Sequence, residues 1–366
     1  MKENLMLNNN SCIKILFIFI FGSAIFSNIS IGQIEKGPYL QNTTQTGITI
    51  CWISEEIGLG EVKYGLDSSL GVRKSDNRKT TYHQITLNGL NPQTEYFYQV
   101  TDGGYESEVY KFWTAPVDTT AFSFVVLGDT RDGHEVHNNL VNRIILHQPN
   151  FVVHTGDFVM KGNIQSDWDK FFEINNQLMK FIPYYPVLGN HEDNDERYYN
   201  YFALPDKENY YSFTWGNSNF IVLDSNHPFN GREDQKEYLS DVLANSTDKK
   251  FTFIFYHHPP YSSVDKRKQS REEFRNQFID VFKPFSPDII FNGHDHNYQR
   301  YLVDSINYVV AGGGGAPLYE IDNPDSGYVF GKKEFSYCFI SVAGNLLKME
   351  VYDLTGKMID SFYTIK

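Results

Sequence analysis

Apolar and polar positions follow two rhythms along this chain, and the change comes near residue 120. From Gly37 to about Trp113 they alternate in short runs such as Gly47-Ile48-Thr49-Ile50-Cys51-Trp52-Ile53 and Gly60-Glu61-Val62-Lys63-Tyr64-Gly65. Strands with one buried face read this way. His83–Leu87 leads through the turn signals Asn88-Gly89 and Asn91-Pro92 into Thr94–Val100, and no helical period appears. About seven such strands in about eighty residues predict a small all-β sandwich over residues 36–116. Ala115-Pro116-Val117-Asp118 reads as the linker that ends it.

After residue 120 the apolar runs become continuous. Phe122–Leu127, Phe151–Thr155, Tyr184–Leu188, Asn219–Leu223, Phe251–Tyr256 and Asp288–Phe291 read as buried strands. Between them Glu135–His147, Asp167–Phe181, Glu233–Leu243 and Arg271–Phe282 have helical length and spacing. That alternation predicts an α/β domain over residues 120–366, built of βα units on a largely parallel sheet flanked by helices. The tail, Ser336–Val342, Leu346–Tyr352 and Lys357–Thr364, is β again and is expected to close the sheet with antiparallel strands.

Five of the strands run straight into short polar blocks. These are Gly128-Asp129, Gly156-Asp157, Gly189-Asn190-His191-Glu192, His257-His258-Pro259-Pro260 and Gly293-His294-Asp295-His296. Ligands of open α/β sheets bind outside the carboxyl ends of the strands, so the five blocks converge on one place. A glycine before the polar residue lets the chain turn sharply there. Several imidazoles with oxygen donors and no thiolate suit Zn, Mn, Fe or Co. Six ligands exceed one tetrahedral ion, and two ions sharing one carboxylate is the natural division. Two metals a few ångströms apart clamp a phosphate and make a hydroxide available at moderate pH.

Composition narrows the alternatives. Aromatic residues make up 16% of the chain, enough ring area for a large sheet-based core. The net charge of −13 disfavours a nucleic-acid scaffold or docking on an anionic membrane. Three cysteines exclude a disulfide-stapled mini-protein and a thiolate metal site, and Cys51 and Cys338 read as buried free thiols. Lys14 precedes the apolar run Ile15–Phe26, and Ser30-Ile31-Gly32 supplies small residues for cleavage. Residues 1–32 are therefore expected to be an export signal, leaving no transmembrane segment and placing the protein outside the cytoplasm.

The series of blocks, with His257-His258-Pro259-Pro260-Tyr261 and Gly293-His294-Asp295-His296-Asn297-Tyr298-Gln299-Arg300 written out, resembles the calcineurin-like metallophosphoesterases. The purple-acid-phosphatase-like branch is the nearest in look, since Leu90-Asn91-Pro92 with Thr94 and Tyr96 resembles a fibronectin type III corner. The resemblance implies a metallophosphoesterase-type β-sheet sandwich flanked by helices, preceded by a small all-β sandwich domain. It implies that Asp129, Asp157 and His296 hold one divalent ion, and that Asp157, Asn190, His257 and His294 hold the other. Asp157 would bridge, a metal-bound hydroxide would attack phosphorus, and His191 would protonate the leaving alkoxide or steady the phosphoryl oxygens. The expected substrate is a small-molecule phosphomonoester, with a phosphodiesterase or nucleotidase as the alternative in the same chemistry. A non-catalytic binding protein on a decayed scaffold would have lost one of these ligands, and none is lost.

Two departures stand out. The purple enzymes carry Gly-Asp-x-x-Tyr, whose tyrosinate colours ferric iron, and here that position is Met160. The broader family often has Asp-x-His in the first block, and here the third residue is Arg131. A colourless enzyme with two divalent ions is expected. Arg131 either forks onto a substrate phosphate or pairs with an acid such as Asp132. His258 either lines the pocket or points away from it, and His154 reads as a core histidine. His134 and His137 are candidates for the missing ligand, and Asp295 for the acceptor that fixes an imidazole. Gly312–Gly315 either cradles phosphate or forms a flexible loop, and Tyr198, Tyr199 and Tyr201 either stack a substrate or pack.

Overall fold

The computed structural model describes residues 34–118, 120–205, 207–226, 233–267, 271, 272, 275 and 279–366. The expected export signal at 1–32 lies outside the described residues, and so does part of the helix expected at Arg271–Phe282.

The first strands form two antiparallel sheets. Ile34–Gln41, Gly47–Gly58 and Thr80–Asn88 make one, and Val72–Ser75, Gly60–Gly65, Glu95–Asp102, Tyr105–Glu106 and Tyr110–Trp113 make the other. Glu95–Asp102 alternates half-buried and buried positions along its whole length, which is the pattern of a strand with one wet face. Between the sheets lie Leu40, Ile48, Ile50, Trp52, Val62, Leu87, Tyr98, Val100 and Phe112. The strand at Gly47 departs from alternation because its other face is also covered: Tyr39, Cys51 and Ile53 pack into the large core of the following region. Buried hydrogen bonds stitch the same seam. Gln41 Nε2 donates to the Tyr184 carbonyl at 2.7 Å, Tyr185 Oη to the Thr43 carbonyl at 3.0 Å, and Tyr98 Oη to the Lys180 carbonyl at 2.7 Å.

The region after residue 120 holds two stacked sheets, the sandwich that the resemblance implies, rather than the single sheet read from the strand alternation. The first runs, in spatial order, Tyr184–Pro186, Phe151–His154, Phe122–Leu127, Ser336–Ala343, Leu346–Asp353 and Met358–Ile365. Its three leading strands are parallel and the tail adds antiparallel ones. The second runs Tyr211–Trp215, Ser218–Val222, Phe251–Phe255, Ile289–Asn292, Ile306–Ala311, Tyr298–Val303 and Tyr328–Lys332, with four parallel strands in its middle. Phenylalanines mesh between the sheets, with Phe124 meeting Phe220 edge-on at 5.2 Å and Phe253 at 5.1 Å. Ile221, Ile254 and Ile290 face the opposite way, under Leu239 and Leu243 of the helix Glu233–Asn245. Both faces of the central strands are therefore buried, which is why their sequences read as unbroken apolar runs. The helices His134–His147 and Gln165–Met179 cover the first sheet. Cys51 and Cys338 are free and buried.

Candidate metal centre

The parallel strands of both sheets end at the same edge of the sandwich, and each delivers its polar block there. Asp129 and Asp157 follow Phe122–Leu127 and Phe151–His154, Asn190 follows Tyr184–Pro186, and His257 and His294 follow strands of the second sheet. The turns are sharp, but most of the glycines do not make them. Among Gly128, Gly156, Gly189 and Gly293 only Gly156 takes a positive φ, +97°. Asp129, Asp157 and His294 themselves adopt the left-handed region, at φ 59°, 60° and 66°. Each such residue costs on the order of 1–3 kcal/mol and persists only where its surroundings fix it. Here Asp129 N donates to the Gly156 carbonyl at 2.9 Å and Thr130 N to that of Asp157 at 3.1 Å, locking the two Gly-Asp turns together. His294 N donates to both oxygens of Asp129, at 3.0 and 2.8 Å. The glycines are needed for closeness: a Cβ on Gly189 would stand 2.3 Å from Asp157 N, and one on Gly293 2.6 Å from Asp129 Oδ2.

Two groups of ligating atoms result. Asp129, Asp157 and His296 form one, all buried, and His257, His258 and His294 the other, with the atoms of each group within 4.8 Å of one another. Asp129 Oδ1 lies 3.5 Å from His296 Nε2, and Asp157 Oδ1 lies 3.3 Å from His257 Nε2. His257 Nε2 also stands 3.2 Å from Asn190 Oδ1 and 3.2 Å from His294 Nδ1. Asp157 thus faces both groups. The imidazoles are oriented from behind: His257 Nδ1 donates to the Thr155 carbonyl and His296 Nδ1 to that of Pro317, both at 2.8 Å. That leaves each Nε2 facing inward as a lone-pair donor.

The donor set fits divalent cations. Asp129 and Asp157 are 0% and 1% exposed; His296 stands 3.5 Å from Asp129, and Asp157 has His257 at 3.3 Å with Arg131 and His191 at 3.8 Å. Burying carboxylates this way is costly unless a cation joins them. Burial pushes the pKa of Asp129 well up, against the pull of His257. Burial acts on Asp157 in the same sense, but the charge of His257 and its hydrogen bond hold Asp157 below the ordinary carboxylate range. Three oxygen donors, three imidazoles and no sulfur make a set for borderline divalent metals.

The residues expected at the site are brought together. His191 N donates to Asp157 Oδ1 at 3.0 Å, its Nδ1 lies 2.7 Å from the Met160 carbonyl, and its Nε2 stands 3.8 Å from Asp157 Oδ2. His258 lies beside His294 with ring centres 4.3 Å apart and planes tilted by 53°, and its Nδ1 lies 2.8 Å from Ser225 Oγ. Burial, then the neighbouring His257, pushes its pKa down to about 3. A cavity of about 190 Å³ opens there, lined by Asn190, Asp193, Asn194, Asn226 and His258. Arg131 Nη1 lies 3.6 Å from Asp132, the acid expected to pair with it, and its opposite edge faces Asp157 and His296.

Other expectations are corrected. His137 is buried against the helix Gln165–Met179, with Nε2 3.2 Å from Asn175 Nδ2, and His134 is exposed, so neither joins the ligand groups. Asp295 fixes no imidazole: its oxygens accept from Arg267 Nη1 at 2.6 Å and from Ser262 Oγ. Gly312–Gly315 is neither a cradle nor a loose loop. It is buried and flush with the floor of the centre, where a Cβ on Gly312 would stand 2.2 Å from the Asp295 carbonyl. Tyr198 and Tyr201 are buried packing residues, and Tyr199 Oη donates to Asn194. His154 is a core histidine, its Nδ1 accepting from Gly156 N at 3.2 Å and its Nε2 3.1 Å from Thr130 Oγ1.

One organising residue was in plain view and unassigned. Glu192, wholly buried, accepts from Asp157 N and Gly189 N on one oxygen and from Phe158 N and Val159 N on the other. Burial and the charge of Asp157 push its pKa up to about 8, while those donors pull it down. The available signal was its place in the block Gly189-Asn190-His191-Glu192, two residues after an expected ligand.

Comparison with known proteins agrees with this geometry. Residues 122–298 match the calcineurin-like phosphoesterase family, and residues 36–114 match the purple acid phosphatase N-terminal domain. Purple acid phosphatase 15 of Arabidopsis thaliana is 26% identical over 285 residues, which cover 64% of this chain and 53% of that protein. The phosphoenolpyruvate phosphatase of Allium cepa is 24% identical over 330 residues, covering 80% of this chain and 67% of that one. The chain thus spans about half the length of the first of these relatives. Among solved structures, a purple acid phosphatase from yellow lupin (Lupinus luteus) seeds superposes with a TM-score of 0.79 at 20% identity, covering 90% of this chain and 74% of that one, a likeness of fold. The family implies binding of divalent metal. The chain carries a calcineurin-like metallophosphoesterase domain preceded by a purple acid phosphatase N-terminal domain.

Proposed function

We propose that this protein is a metal-dependent hydrolase of small-molecule phosphomonoesters, exported by residues 1–32 and working with two divalent ions. Residues 120–366 carry the chemistry and residues 36–116 brace them. The observation that carries this reading is the convergence of Asp129, Asp157, Asn190, His257, His294 and His296 at one sheet edge, with Asp157 facing both ligand groups. When bound, two such ions neutralise phosphoryl charge and lower the pKa of water enough to make a nucleophile at moderate pH. The protein supplies the rest. Asn190, His257 and His294 hold one side of the centre and Asp129 and His296 the other. His191, its Nδ1 held by the Met160 carbonyl, keeps Nε2 at the mouth of the centre to meet the leaving oxygen. Among the described residues no helix is long and apolar enough to cross a membrane.

The test is hydrolysis of an aryl phosphomonoester and the matching bis-aryl diester, by metal-stripped protein and after adding back Mn, Zn, Fe or Co. Metal-dependent monoester turnover is expected. A diester preference would replace the substrate class with the alternative, and failure of folded, metal-loaded protein on both esters would favour a binding role.

A further inference from the structure

Arg131 stands where a histidine was expected from the Asp-x-His pattern of the family that the sequence resembles, and its surroundings give it a use. The side chain is only 10% exposed, and its two edges have different company. Nη1 donates to Met160 Sδ at 2.9 Å and lies 3.6 Å from Asp132. The other edge, Nε and Nη2, faces the metal centre: Nε is 3.8 Å from Asp157 Oδ2 and Nη2 is 3.4 Å from His296 Nε2. Nε is buried and has no hydrogen-bond partner. A buried guanidinium N–H left unmatched is costly, and Nε with Nη2 is the edge that forks onto two oxygens of a phosphate or carboxylate. His191 Nε2 stands 3.8 Å from the same Asp157 oxygen, so two potential donors flank one gap. Met160 ties them together, accepting from Arg131 through sulfur and from His191 through its carbonyl.

We infer that Arg131 is a specificity-determining residue that grips two non-ester oxygens of the substrate phosphate through Nε and Nη2, and that Met160 positions it. The inference rests on the phosphoesterase reading above and deepens it. A monoester offers three non-ester oxygens and close to two negative charges at neutral pH, and a diester offers two oxygens and one charge. A second claimant on those oxygens beside the metal centre therefore favours the monoester. Lysine keeps the charge but not the fork.

The experiment compares the metal-loaded wild-type protein with Arg131→Met and Arg131→Lys. It reads kcat/KM for the monoester and the diester, the affinity for inorganic phosphate by calorimetry, and metal per chain. Arg131→Met should lose about a hundredfold on the monoester and within about threefold on the diester, with phosphate binding weakened at least about tenfold. Arg131→Lys should fall between, and metal content should not change. Equal losses on both esters, unchanged phosphate affinity, or loss of an ion from Arg131→Met would overturn the inference. Should the wild type turn over neither ester, the phosphoesterase reading fails by itself, and the phosphate titration still decides whether Arg131 grips the anion. Met160→Leu, which keeps the volume and removes the sulfur, should lower the monoester-to-diester ratio in the same direction with a smaller step.

Discussion

The two halves of the metal centre are built differently. The half around Asn190, His257 and His294 is dense: its imidazole and amide atoms stand 3.2 Å apart, Asp157 is 3.3 Å away, and His258 backs His294. The half around Asp129 and His296 is thinner, and where a further ligand would stand it has Arg131 on Met160. Their floors differ too. The dense half leans on the Thr155 carbonyl and on Ser225, and the thin half on the buried His154 under Thr130. A dense cage retains an ion, whereas a thin one with a guanidinium at its edge leaves room for the anion that ion attracts. Under the function proposed above, the difference becomes a division between holding metal and admitting substrate.

The most severe test removes what the halves share. Asp157→Asn takes a charge from both, and turnover should fall by at least about a thousandfold, equivalent to about 4 kcal/mol of transition-state stabilisation. A loss below about tenfold would mean that Asp157 does not join the halves. Next in size is Glu192→Gln. The amide cannot accept on its nitrogen, so two of the four backbone N–H groups now meeting the carboxylate lose their acceptor. Turnover should fall about ten- to a hundredfold and the melting temperature should drop. An unchanged melting point would show that the turn between Asp157 and Gly189 holds without it.

A buried histidine between the helices flanking the first sheet should make the protein acid-labile. Burial pushes the pKa of His137 down to about 3, its hydrogen bond to Asn175 opposing only in part. An unfolded histidine titrates near 6.5. Above that pH both states are neutral and the stability is fully present. As pH falls toward 3 the unfolded chain takes up a proton that the folded one refuses, and stability is lost across that window. By pH 5 the loss from this residue is ~2 kcal/mol. In denaturant unfolding, His137→Gln should flatten the slope of stability against pH between 6.5 and 5 by about one proton. Parallel slopes would remove His137 from the account.

Much of this was legible in the chain because it depends on sequence-local rules. A strand buried on both faces must read as an apolar run, and a polar block directly after it must lie at a sheet end, so the ligands could be named in order. Two sheets in place of one could not be read from the apolar runs, because Phe124 and Phe253 look alike whether they share a sheet or face each other across a core; only the resemblance implied the sandwich. The hairpin of Tyr298–Val303 and Ile306–Ala311 was missed, since Tyr298, Gln299 and Tyr301 are all buried and no alternation survives. The reason for the glycines was misread as well. Closeness to a neighbouring turn is a tertiary fact, and only Gly156 serves the local one. Glu192 was visible, but its partners are the N–H groups of residues some thirty positions away.

The gentlest test addresses the halves themselves. If density sets retention, a chelator should strip the ions in two stages, the Asp129–His296 side first, with about a tenfold gap in the chelator needed. Metal per chain should pass through a plateau at about one. Asp129→Asn should abolish the first stage and leave the second, and Asn190→Ala should pull the second toward the first. Iron-loaded protein should show no purple band, because Met160 offers no tyrosinate. Met160→Tyr would sharpen the point by supplying a phenol on the thin side, which should both colour ferric protein and raise the chelator needed for the first stage. A single stage in the wild type would mean that Asp157 couples the ions so tightly that the difference between the halves is one of shape alone.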